Sequence, residues 1–295
     1  MKASSISRER TCVDIKSRKT PQAMERILWT KGMMEILKAE RAIVVTSDNR
    51  KVIREYGIAS DITVLHGGAI QKILRHHSSS SRITEEDMSI LLNAPCIIDA
   101  KINWRNFYRD AKSALIEKLD FSGCNEYLKK INIVLQEYLA SDKKSVLSRR
   151  LIYELVAFFL LSLDYASRFL ALLDDEDRKK GLENGIRYGE VGQKRTEEIL
   201  DMTIGVLAES GKADLFSPSE IKEVYKKQMP DYPAEILAEY FYKPSSMKIL
   251  FEAAKKFDDL AYSEDVAYPY QISPELRAVL GLLCDFFGLD RKSII

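Results

Sequence analysis

The chain has 295 residues, of which 46% are hydrophobic and 30% are charged, and its formal net charge is only +1. This composition is typical of a globular protein with a sizeable core, and the overall charge does not single out a polyanion binder. Residues 1–80 nevertheless hold 15 basic and 8 acidic side chains, whereas the remainder holds 30 basic and 36 acidic ones. The basic first segment points to an anionic partner for that segment.

Cysteine spacing and hydropathy exclude several classes of protein. Cys12, Cys96, Cys124 and Cys284 lie far apart and form no C-x-x-C pair. We therefore predict reduced core thiols in a cytoplasmic protein, and neither a zinc site nor a disulfide framework. The first ten residues lack the apolar stretch of a signal peptide. The most hydrophobic stretch, residues 151–173, contains charged side chains and predicts a buried bundle helix rather than a membrane span.

Residues 11–75 alternate strand and helix patterns in the order β-α-β-α-β-α. The predicted strands read TCVDI, RAIVVTS and ITVLHG. Thr20 as N-cap and Pro21 at the first helical position predict the start of the first helix. Asp48 or Asn49 is expected to cap the second helix, which should end near Gly57. This order favours a mixed or parallel sheet covered by helices.

The remainder of the chain is predicted to be helical. A Ser-rich stretch at residues 76–87 is typical of a linker, and Thr84 followed by three acidic residues predicts a helix start. Beyond it, apolar residues recur at helical spacing in about eight segments, which are 104–119, 121–140, 144–174, 188–209, 217–228, 232–242, 245–261 and 273–288. The charged run Asp174–Lys180 is expected to be a helix end or a loop. We therefore predict an all-α domain over residues 81–295.

The first strand carries the pattern that bears chemistry. Side-chain alternation places Val13 and Ile15 on one face, expected to pack against a core, and Asp14 and Lys16 on the other, expected to point into a cleft. A carboxylate there can bind a divalent cation that activates water and neutralises charge on a phosphodiester. A neighbouring ammonium can position that water or stabilise the developing charge. A second D-x-K pattern, Asp99–Lys101, lacks the following β-α-β pattern and is not expected to form a site.

The order of these segments resembles the later half of the Mrr-like restriction endonuclease domain, a member of the PD-(D/E)xK nuclease superfamily. The resemblance rests on five features in chain order: a D-x-K strand, a helix, a hydrophobic strand ending in Thr-Ser, a second helix and a strand ending in a Gly turn. The three strands and the second helix lie, in chain order, at Asp14–Lys16, Ala42–Ser47, Val52–Tyr56 and Ile62–Gly67. The resemblance covers about residues 11–75 and implies an incomplete restriction-endonuclease-like α/β domain over residues 1–80.

The resemblance also implies roles for particular residues. Asp14 would be a ligand of Mg²⁺ or Mn²⁺, Lys16 the catalytic lysine, and Gln22 a residue that positions a phosphate or a ligand. The family carries another acidic metal ligand before this strand, where only thirteen residues stand here. Glu9 lies an odd number of residues from Asp14 and would face away. Glu25 lies one turn into the next helix, from which some superfamily members supply an acid.

Three explanations for the missing carboxylate stay open. The true protein begins further upstream, or the site is degenerate and the fold is kept for binding, or the acid comes from Glu25 or another chain.

Several further residues are candidates for contacts with nucleic acid. Basic side chains would meet the phosphate backbone and supply affinity without sequence information; they are Arg18, Lys19, Lys31 and Arg50. Trp29 and Trp104 could stack on bases, but both lie in helical patterns, which favours roles in the core or in helix contacts. His66 could be a general base, but its place at a strand end favours a hydrogen-bonded turn residue.

Two functions from different classes follow. The first is a DNA-binding, metal-dependent endonuclease of the restriction or DNA-processing type, and the missing carboxylate leaves open that it is truncated or degenerate. The alternative is a non-catalytic interaction or scaffold protein whose helical domain binds a partner or a second copy, with the α/β segment as a relic or docking surface. No membrane role is expected for either.

Overall fold

A computed structural model describes residues 8–15, 22–70, 72, 81–141, 145–209 and 218–295. The chain divides into two compact units, an α/β unit at Ser7–Ser81 and a helical unit at Arg82–Ile295. The prediction of a mostly helical protein with a small α/β part is therefore confirmed. None of the described helices is long and apolar enough to cross a membrane.

The α/β unit contains three strands and two connecting helices. They are β1 (Thr11–Ile15), α1 (Ala23–Ile36), β2 (Arg41–Thr46), α2 (Lys51–Ala59) and β3 (Thr63–His66). Residues 67–70, directly after β3, are also helical. The predicted helix starts differ from those observed: α1 follows Gln22, while Thr20 and Pro21 lie outside the described residues. The residue that precedes α2 is Arg50 rather than Asp48 or Asn49, and α2 ends two residues after Gly57.

The sheet is parallel, with strand order β1-β2-β3. Two right-handed crossovers that step in the same direction place both connecting helices on the same face of a sheet. The small core agrees with this rule, because Ile27 of α1 and Ile53 of α2 are buried in one cluster with Ala42 and Val44 of β2. Gly57 allows α2 to approach the sheet closely, since a Cβ there would collide with the Val64 side chain.

The prediction that Val13 and Ile15 pack against a core was wrong. Val13 is 50% exposed and Ile15 is 63% exposed. The register pairs Cys12 with Ala42 and Asp14 with Val44, so these alternate residues of β1 face the helices. Val13 and Ile15 lie on the opposite face, and they are exposed because the two crossover helices cover only one side of the sheet.

The helical unit holds ten α-helices among its described residues. They are α3 (Glu85–Leu91), α4 (Trp104–Glu117), α5 (Phe121–Ala140), α6 (Val146–Ala166), α7 (Asp175–Tyr188), α8 (Gly192–Glu209), α9 (Pro218–Asp231), α10 (Ala234–Phe241), α11 (Pro244–Tyr262) and α12 (Pro274–Phe286). Short 3₁₀ turns lie at Leu170–Leu172, Pro269–Gln271 and Arg291–Ser293.

Helix starts in this unit follow the local sequence. Thr84 and Asp87 form a reciprocal capping box at α3, as the acidic run after Thr84 predicted. Asp174 caps α7, and three acidic residues occupy its first turn, where they complement the helix dipole. The charged run Asp174–Lys180 is therefore a helix end, as predicted, and it is the N-terminal end of α7.

Helix α6 forms the centre of the helical unit and packs against α5 and α11. Most of its 21 residues are buried, as predicted for this hydrophobic stretch. Its two buried arginines hold the end of α11: Arg150 Nη1 donates to the carbonyl oxygens of Ala261 and Ser263, both at 2.7 Å. Arg149 Nη1 donates to the Val266 carbonyl oxygen at 2.7 Å. Backbone carbonyls at a helix C-terminus are favourable partners for buried cations.

A buried carboxylate of α5 fixes the loop between α3 and α4. The backbone N–H groups of Ile97 and Ile98 donate to Glu137 Oε2 at 2.9 and 3.0 Å. The Cys96 thiol donates to the same oxygen at 3.4 Å. In the same loop, Asp99 Oδ1 accepts from the Lys101 backbone N–H at 2.9 Å. The second D-x-K pattern is thus a turn.

A chain of hydrogen bonds leads from the surface to a buried acid on α6. Lys112 Nζ and the Tyr262 hydroxyl both donate to Glu85 Oε1, each at 2.8 Å. The hydroxyls of Tyr262 and Tyr108 lie 2.5 Å apart, and because Tyr262 donates its proton to Glu85, Tyr108 is the donor in this pair. The Tyr108 hydroxyl oxygen also lies 3.5 Å from Glu154 Oε1. Burial raises the pKa of Glu154 to about 8, and the negative charges of Asp258 and Glu85 act in the same direction.

We expect the Glu154→Gln variant to alter the pH dependence of stability. The unfolded chain releases the Glu154 proton near pH 4.5, whereas the folded chain keeps it to about pH 8. The wild-type protein therefore loses stability as pH rises through this window, by about 1.4 kcal/mol per unit of pKa difference. Urea unfolding at pH 5 and pH 8 should show the variant gaining stability over wild type only at pH 8. An equal difference at both pH values would contradict the assignment.

Candidate functional site at the end of strand β1

Asp14 lies near the carboxyl end of β1 and faces helix α1. Its backbone is paired in register with Val44 of β2, and only 10% of its side chain is exposed. Ligand sites of open parallel sheets form outside the carboxyl ends of the strands. The position that sequence analysis selected is thus at the end of the sheet where such sites occur.

An ion pair with Arg26 dominates the surroundings of Asp14. Arg26 Nη2 contacts Asp14 Oδ1, and 18% of the Arg26 side chain is exposed. Asp14 Oδ2 is buried and has no hydrogen-bond partner among the described residues, and the same is true of Arg26 Nε. One carboxylate oxygen therefore contacts the guanidinium, while the other is buried and unsatisfied.

A cavity of about 500 Å³ opens at the first two turns of α1. Gln22, Glu25, Arg26 and Trp29 line it. Residues three and four apart share one face of a helix, so this spacing brings the four side chains together. Arg26 belongs both to the cavity and to the ion pair, and it therefore connects the cavity to Asp14. Gln22 and Glu25, two of the site residues selected from the sequence, line this cavity, whereas Asp14 is not among its lining residues.

The described residues do not assemble a complete metal centre. Among them, no group of three histidine, cysteine, aspartate or glutamate side chains is placed to hold a metal ion. The free oxygen of Asp14 suits a hard cation, but the guanidinium of Arg26 competes for the same carboxylate. Glu9 takes no part in the site, because its Oε2 atom lies 2.8 Å from Arg41 Nε.

The basic residues predicted to contact DNA differ in where the structure places them. Arg18 and Lys19 lie outside the described residues, as does Lys16, the predicted catalytic lysine. Lys31 is half-buried on α1. Arg50 is largely exposed, and its Nη2 atom lies 2.7 Å from Asp48 Oδ2.

His66 behaves as a turn residue, as its position favoured. Its Nδ1 atom accepts a hydrogen bond from the Gly68 backbone N–H at 3.2 Å.

Sequence reasoning missed two members of the site. Arg26 was not considered, and Trp29, for which a core or helix-contact role was favoured, is 57% exposed and lines the cavity. Trp104, in contrast, is buried as predicted. The helical spacing of Arg26 and Trp29 from Gln22 and Glu25 is the signal in the sequence that could have found them.

Comparisons with family models, with curated proteins and with solved structures found no match to this chain.

We expect Arg26→Gln to destabilise the attachment of β1 to α1. The substitution leaves the nine-tenths buried Asp14 carboxylate without its countercharge, at a cost of about 1–3 kcal/mol. Hydrogen exchange in peptides that cover Thr11–Ile15 should accelerate about tenfold. Adding Asp14→Asn should recover part of the loss, since the neutral side chain is cheaper to leave unpaired.

The control is Arg41→Gln, which removes a pair with Glu9 in which the arginine is 67% exposed. This control should leave the exchange of β1 nearly unchanged. Equal acceleration in both variants would rule out a special role for the Asp14–Arg26 pair.

Proposed function

We propose that the α/β unit is the metal-binding half of a DNA endonuclease with a restriction-endonuclease-like fold, in which Asp14 holds the cation. The observation that carries the proposal is the buried, unpartnered Oδ2 atom of Asp14. It lies at the carboxyl end of a parallel strand, and its ion-pair partner lines an adjacent cavity. The basic character of residues 1–80 supports an anionic substrate.

The residues present would supply part of a Mg²⁺ or Mn²⁺ site. Asp14 Oδ2 offers a carboxylate oxygen, which hard divalent cations prefer. Glu25, on the same cavity face as Arg26, is the second acid of this surface. Further ligands would come from outside the described part of the chain or from another chain. The bound cation would activate water and neutralise charge on the phosphodiester.

Arg26 would make the availability of the Asp14 carboxylate depend on substrate. A phosphate of DNA in the cavity competes with Asp14 for the guanidinium, because both are oxyanions that arginine binds well. Transfer of Arg26 to the phosphate would free the Asp14 carboxylate when substrate is present. Trp29 lines the same cavity and offers an exposed ring on which a base can stack. Lys31 and Arg50 would contribute to backbone affinity.

A cleavage assay tests the nuclease proposal. Supercoiled and linear DNA are incubated with the full chain, with and without Mg²⁺ or Mn²⁺. We expect cation-dependent cleavage that falls at least about 100-fold in Asp14→Asn and in Lys16→Met, because each removes a group that acts on the reacting phosphate.

Glu55→Gln is the matched control, since Glu55 is an exposed acid of α2 in the same unit. It should cleave within about twofold of wild type. Cleavage that survives both Asp14→Asn and Lys16→Met would overturn the site assignment.

The second candidate is a non-catalytic interaction protein in which the helical unit binds a partner and the α/β unit is a relic or docking surface. The exposed apolar side chains of the α/β unit favour it; they include Val13, Ile15, Met24, Leu28 and Ile36. A wild-type protein that neither cleaves nor binds DNA at low salt would favour this function over the first.

A further inference from the structure

The helical unit contains a second cavity, of about 600 Å³, between α3 and α4. We call it the α3–α4 groove. Its lining is rich in cationic and hydroxyl side chains and includes Arg105, Arg109, Lys112, Ser89 and Ser113. A volume of this size suits a small organic ligand.

Three cations reach the groove because they share one face of α4. Arg105, Arg109 and Lys112 are spaced by four and three residues, which aligns them along the helix. The Arg105 guanidinium donates to the Ser89 carbonyl oxygen at 3.5 Å, the limit of a hydrogen bond. Arg109 is 71% exposed, and its Nε atom lies 3.7 Å from Asp110. Both guanidinium groups therefore keep most of their donors for a ligand.

The acidic groups around the groove are either paired or protonated. Glu85, the acid of the lining, already accepts hydrogen bonds from Lys112 and Tyr262. Glu154, behind Tyr108, stays protonated at neutral pH because burial raises its pKa to about 8. With Lys112 balanced by Glu85, the side chains that line the groove carry an excess of two positive charges, which the exposed Asp110 beside Arg109 offsets in part.

The rest of the lining suits the organic part of a ligand. Leu92 and Ile116 offer apolar surface, while Ser89, Asn106 and Ser113 offer polar groups. The remaining donors of the Arg105 and Arg109 guanidinium groups match the oxygens of a phosphate in number and geometry.

We propose that the α3–α4 groove binds a small phosphate ester of about nucleotide size, with Arg105 and Arg109 as its phosphate ligands. The site lies within the helical unit and does not depend on the nuclease proposal for the α/β unit. The phosphate takes the two guanidinium groups, and the organic body lies against Leu92 and Ile116.

Isothermal titration of the full chain at pH 7 with ADP, inorganic phosphate and adenosine tests the proposal. We expect ADP to bind, inorganic phosphate to bind more weakly, and adenosine to give no measurable heat. The Arg105→Gln/Arg109→Gln variant should lose at least tenfold in ADP affinity. Ser113→Asp, which retains both arginines but adds a negative charge at the exposed edge of the groove, should also weaken binding several-fold.

The control Lys248→Gln/Lys255→Gln removes two exposed charges from α11 in the same unit, and it should bind ADP within about twofold of wild type. Undetectable ADP binding by the wild type at millimolar ligand would overturn the proposal. Binding that Arg105→Gln/Arg109→Gln and Ser113→Asp leave unchanged would overturn it as well.

Discussion

The burial of helix α6 is the constraint on which the helical unit depends. A 21-residue helix that is covered on nearly all sides cannot send its polar side chains to water. Arg149 and Arg150 therefore take backbone carbonyls at the end of α11 as partners. Glu154 stays neutral and shares a hydrogen bond with Tyr108. Each of these contacts joins α6 to another element. The polar groups of the core therefore also determine which helices lie beside α6.

The two units differ in how their charged groups are paired. In the α/β unit, Asp14 and Arg26 neutralise one another but leave one carboxylate oxygen unsatisfied. In the helical unit, the acid of the α3–α4 groove is already taken up by Lys112 and Tyr262, and the arginines are left over. An unsatisfied buried oxygen suits a cation, whereas surplus guanidinium groups suit an oxyanion. The buried oxygen of Asp14 and the α3–α4 groove are therefore complementary to ligands of opposite charge.

Element type was predictable from the sequence, but the orientation of β1 was not. Hydrophobic runs and apolar spacing gave the three strands and most helices, and the capping residues around Thr84 gave a correct start. Alternation correctly separated Asp14 from Val13 but could not decide which face is covered. That depends on the hand of the two crossovers, a property of the whole β-α-β-α-β chain. Arg26 was not considered, and Trp29 was assigned to the core or to helix contacts, because their roles arise only when α1 lies against β1.

The loop that Glu137 holds has a consequence for how this sequence can vary. The contacts of Glu137 run mainly to backbone N–H groups, which every residue except proline provides. Ile97 and Ile98, although hydrophobic, are 61% and 41% exposed, so their side chains contribute little to the attachment. Related sequences should therefore accept many amino-acid types at positions 97 and 98, with proline excluded. At the distant helical position 137 they should accept few.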